Sequence, residues 1–88
     1  MNSMKQMLEQ REVRRKKTIA LIELNAQVKQ IPIVQFKCEK DFKSAYTASK
    51  QYIGIKISEK KDGDWLIMDN DYEPHLMSGN NVKNHFSF

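Results

Sequence analysis

Between Ser3 and Gln30 the chain carries neither glycine nor proline, and it is built largely from Met, Leu, Glu, Gln, Lys, Arg and Ala. No other feature constrains the fold as tightly. Most of these side chains lose little freedom in a helix, so the run predicts one long helix over residues 3–30, N-capped by Ser3. Pro32 sets its limit, because the residue before a proline is pushed out of the helical region. Such a helix is about 40 Å long at ~1.5 Å per residue. A chain of 88 residues makes a single domain with a small core. Part of the rod must therefore project or pair with another chain, and a homodimer is expected.

The two halves of the predicted helix differ. From Ile19 to Ile31 apolar residues wrap more than half of the circumference, which predicts burial in the core. In the first half Met4 and Leu8 align with Ile19, Ile22 and Ala26, but Arg11 and Arg15 interrupt that stripe. A helix serving packing alone would place apolar groups there.

All eight aromatic residues lie from Phe36 onward, and the pattern changes with them. Ile33–Cys38 alternates as a strand. Tyr52–Glu59 alternates with Ile53, Ile55 and Ile57 on one face, and Trp65–Met68 is a further strand. Lys60–Asp64, with its Asp-Gly pair, reads as the turn between the last two, the glycine supplying a positive backbone angle. Asp41 is placed to cap a short helix through Gln51 that buries Phe42, Ala45 and Tyr46. The predicted class is α+β, a long N-terminal helix packed on a small three- to four-stranded antiparallel sheet with one short helix. Residues 32–77 form the small α+β core, and 78–88 are expected as a flexible tail or a short edge strand.

Charge is distributed unevenly. Residues 1–61 carry fourteen basic and six acidic side chains, whereas residues 62–88 carry one basic and five acidic. A basic body of this kind favours a polyanionic partner. The sharpest cluster is Arg11-Glu-Val-Arg-Arg-Lys-Lys17, which holds all three arginines of the protein. At helical spacing Arg11, Arg14 and Arg15 share a face with Thr18, and Lys16 and Lys17 flank it. Guanidinium forks suit phosphate, and five such cations would bind nucleic acid with a strong salt dependence. Lys37, Lys40 and Lys43, with Lys50, Tyr46 and Tyr52 interleaved, form a second basic set.

Little in the sequence points to catalysis. The three glycines are scattered, so no phosphate loop is present, and Cys38, His75 and His85 lack metal-ligand spacing. Asp69-x-Asp71-x-Glu73 opens like a calcium loop but has Pro74 where glycine is required and Asn80 where glutamate is. No enzyme activity, cofactor or metal is expected. No stretch is long enough to span a bilayer, so no membrane association is expected. The lone cysteine fits a reducing, cytoplasmic setting. The expected function is that of a small regulatory protein binding RNA, DNA or a nucleoprotein through the arginine helix. The rival is an inhibitor or adaptor that grips a host protein through Asp62, Asp64, Asp69, Asp71 and Glu73. The Lys, Asn and Ile bias is that of an AT-rich genome and, with the small size, points to a phage or mobile-element accessory protein.

Overall fold

The computed structural model describes the backbone of residues 3–88 and the side chains from residue 9 onward. The Ser3 cap and the contributions of Met4 and Leu8 to the stripe lie outside the described residues. Helix α1 spans Ser3–Lys29. It ends in a Schellman turn: Gln30 N–H donates to Gln27 O at 3.3 Å and Ile31 N–H to Ala26 O at 3.0 Å, with Gln30 at φ 56°. Ile31 then folds against Ala26, and Pro32 prevents further winding. Glycine is the residue such a left-handed position prefers. Gln30→Gly is expected to raise stability by about 0.5–1 kcal/mol, read as a higher urea midpoint. A decrease would mean that the Gln30 side chain contributes more than the turn costs.

Five antiparallel strands follow: β1 (Val34–Cys38), β2 (Gln51–Lys56), β3 (Trp65–Met68), β4 (Pro74–Met77) and β5 (Phe86–Ser87), in the order β4-β3-β2-β1-β5. The sheet thus exceeds the three or four strands expected. Helix α1 crosses one face, where Ile22 and Ala26 pack on Ile55 with Ile53, Ile57, Leu66 and Met68 around them. The opposite face carries the larger core of Phe36, Cys38, Tyr46, Tyr52, Ile67, Met77, Val82 and Phe86. The strand alternation read from Ile53, Ile55 and Ile57 is this division between two faces. At Gly54, on the larger-core side, an added Cβ would lie 2.6 Å from the Leu66 carbonyl oxygen.

Three expectations are corrected. Residues 41–51 form no helix: Phe42 and Tyr46 bond to each other across a tight loop, Asp41 caps Ala48 N–H instead, and Lys43 and Ser49 take positive φ. The short helix is α2 (Gly79–His85), capped by Ser78. Buried Val82 and Phe86 fix it and make residues 78–88 part of the fold rather than a flexible tail, while the short edge strand expected as the alternative is present as β5. Third, the C-terminal half of α1 is buried along one face only, leaving Leu21, Leu24 and Val28 exposed. The β2–β3 turn falls where expected, but Gly63 has no positive φ, and a side chain there would strike Ser58.

Cys38 is fully buried, and burial pushes its thiol up. Tyr46 is also buried, its phenol held protonated by desolvation while it donates to Ile67 O at 2.8 Å.

Candidate nucleic-acid interface

Arg11 and Arg15 follow the same helical stripe as Ile22 and Ala26, so they point to the sheet side of α1. Beside the apolar Ile53 and Met68 of β2 and β3, the β3–β4 connection, residues 69–73, rises against the helix. Tyr72 at φ 61° turns the loop, and successive carbonyls meet successive donors. Arg11 Nη2 donates to Asn70 O at 3.5 Å, Arg14 Nη1 to Asp71 O at 3.3 Å, and Thr18 Oγ1 to Tyr72 O at 2.5 Å. The Arg11 guanidinium lies 5.4 Å from the centre of the Tyr72 ring, and Arg14 stands 3.7 Å from the Glu73 carboxylate. Thr18 is buried, whereas Arg14 and Arg15 remain about half exposed.

Two side chains that sequence reasoning did not single out for this role hold the loop in place. Asp69, nearly buried, accepts from Asp71 N–H at 2.9 Å and Glu73 N–H at 3.0 Å through one oxygen, and the other lies 3.6 Å from His75 Nδ1. Asn70 joins the loop to residues 44–47. Its amide donates to Ser44 O and Thr47 Oγ1, its carbonyl accepts from Tyr52 Oη at 2.7 Å, and its backbone N–H donates to Ala45 O. In sequence, Asp69-Asn-Asp71 read as turn-like, as an incomplete calcium loop and as part of an acidic docking set. Nothing along the chain indicated which surface the turn would meet.

Between this buttressed helix and the half of the sheet that α1 leaves open lies a groove of about 510 Å³. Arg11 and Arg15 line one wall. Lys50 borders the groove from the sheet side, Gln35 and Gln51 lie on its floor, and Ile53, Met68 and Tyr72 are among the other lining residues. Gln35 donates to the Gln51 side-chain oxygen at 2.7 Å, which fixes two amides on the floor. Asp69 and Asp71 also border the groove, but Asp69 is occupied by the bonds within its own loop.

The sequence-derived set divides. Arg11 and Arg15 enter the groove, and Lys37 stands on the same face of β1 as Gln35. Arg14 is drawn toward Glu73, and Arg15 also bonds Glu12 at 3.1 Å. The three arginines thus do not stand free for phosphate, as the sequence led one to expect, because carboxylates and carbonyls of their own chain engage them. Lys16 and Lys17 are exposed on other sides of α1. Lys40 and Lys43 sit in the loop that covers the opposite face, Lys43 over the Phe42 ring at 5.5 Å. Of the acidic set, Asp62 pairs with Lys83 and Glu73 with Arg14, while Asp69 is structural; Asp64 and Asp71 are exposed without an ion pair among the described residues. No helix among the described residues is long and apolar enough to cross a membrane. Comparison of the chain with protein-family models, with characterised proteins and with solved structures gives no match.

Proposed function

We propose that this is a small non-enzymatic regulatory protein of the cytoplasm that binds nucleic acid in the groove between α1 and the open half of the sheet. One observation carries the reading: Arg11, Arg15 and Lys50, far apart in sequence, converge on one groove. Amides on the floor and the Tyr72 ring beside Arg11 add hydrogen-bonding and stacking groups to the cations. The acidic side chains favour this reading over a protein-gripping surface, because ion pairs and loop bonds within the chain already occupy three of the five. A lone buried thiol suits the reducing cytoplasm.

The test is fluorescence anisotropy with labelled single-stranded and duplex RNA and DNA, repeated across salt concentration. Replacing Arg11, Arg15 and Lys50 together by alanine is expected to weaken binding on the order of a hundredfold. It should also flatten the logarithmic salt slope by about 2–3. Unchanged affinity and slope, or absence of binding by the wild type at low salt, would overturn the proposal.

A further inference from the structure

The face of α1 turned away from the sheet is apolar where solvent should favour polar groups. Val13 is 50% exposed, Leu21 40%, Leu24 58% and Val28 73%. With Ala20 they form one stripe centred on Leu24, with exposed Lys17 set within it. Among the described residues nothing covers this face, because the sheet lies on the other side of the helix.

We propose that a second copy of the chain packs on this stripe, its α1 antiparallel to the first, about a two-fold axis passing between Ala20 and Leu21. The stripe is self-complementary in that register. Val13 meets Val28 of the second copy, and Ala20, small enough for close approach, meets Leu21 of the second copy. Lys17 lays its aliphatic stem over Leu24 of the second copy while its ammonium reaches water. Charge selects the orientation. A parallel pair would set Arg11–Lys17 beside the same five cations of its neighbour, whereas the antiparallel pair separates them. It also brings Lys16 onto the same flank as Glu23 of the second copy, offset by about 3 Å along the axis at ~1.5 Å per residue. The nucleic-acid groove opens on the opposite side of α1 and stays clear, so the pairing neither requires nor prevents that function.

Sedimentation equilibrium across a range of protein concentrations tests the pairing. The wild type is expected to sediment with twice the chain mass. Leu24→Glu combined with Val28→Glu should sediment as a monomer with unchanged helix content by circular dichroism, since both side chains are exposed. Orientation is read by disulfide cross-linking. Ala20→Cys, beside the axis, should cross-link rapidly in oxidant, and Val28→Cys, about 22 Å from its own copy at ~1.5 Å per residue, should not. The native thiol of Cys38 is buried and does not interfere. A wild type that remains monomeric at the highest concentration, a double variant that still dimerises, or cross-linking through Val28→Cys in place of Ala20→Cys would overturn the proposal. Loss of nucleic-acid binding alone leaves it intact.

Discussion

Phe36→Ala is expected to remove about 3–5 kcal/mol of stability, the cost of emptying a fully buried aromatic site. A domain of this size has about 5–15 kcal/mol in total, so this single change takes a large fraction. Phe36 has no exposed surface and lies mid-strand in β1, with β2 alongside. Its ring meets Trp65 edge-on at 5.0 Å, Phe86 at 5.8 Å and Phe88 at 4.9 Å. It thereby ties β3 and the C-terminal β5 to the centre of the sheet. Trp65, the sole tryptophan, reports the loss directly. At a urea slope of about 1 kcal/mol per molar, the fluorescence midpoint should fall by about 3 M or more at fixed protein concentration. Phe88 touches the rings of Phe36 and Trp65 but is 70% exposed, and Phe88→Ala should cost about 1 kcal/mol or less. Equal losses for the two variants would mean that the larger core is not centred on Phe36.

The contrast between these two phenylalanines shows where the sequence was readable. Alternation marked Val34, Phe36 and Cys38 as one face of a strand, and Ile53, Ile55 and Ile57 as another, because a period of two survives whatever the strand packs against. The long helix was legible for the same local reason. Residues 78–88 were not. Gly79, Asn80 and Asn81 have weak helix propensity, and α2 forms because Val82 and Phe86 drop into a core built by residues far away in the chain. The region 41–51 failed in the opposite direction. Phe42, Ala45 and Tyr46 have helical spacing, but the pairing of β2 with β1 draws Gln51 into the sheet, and Cys38 O accepts from Ser49 N–H at 2.7 Å, which closes the loop instead. On α1 the outward Leu21, Leu24 and Val28 looked like core because hydrophobicity does not state which surface covers it. The arginines were found by local composition and helical spacing, whereas their neighbours in the groove, Gln35, Gln51 and Asn70, carry no signal until the sheet assembles.

Asp69→Ala provides the second large effect, and the sign of its functional consequence is the more informative part. One carboxylate oxygen satisfies the backbone N–H groups of Asp71 and Glu73. Removing it takes the partner from two backbone donors that close around the buried Asp69 carboxylate, each costing about 1–2 kcal/mol. The expected loss is about 2–4 kcal/mol in urea unfolding. Asp69→Asn, which keeps an oxygen in place, should lose about half of that or less, and Asp71→Ala, exposed at the loop tip, should stay within about 0.5 kcal/mol. Removing an acidic side chain ordinarily strengthens binding to a polyanion, and Asp71→Ala is expected to do so slightly. Asp69→Ala should instead weaken it, measured on protein still folded in the absence of urea. The loop that Asp69 shapes presents the Asn70 and Asp71 carbonyls that hold Arg11 and Arg14, and without it those guanidinium groups lose the buttress that aims them. The opposite signs separate a positioning role from bulk charge, since bulk charge moves both variants the same way. An increase in affinity for Asp69→Ala matching that of Asp71→Ala would show that the arginines hold their places without the loop.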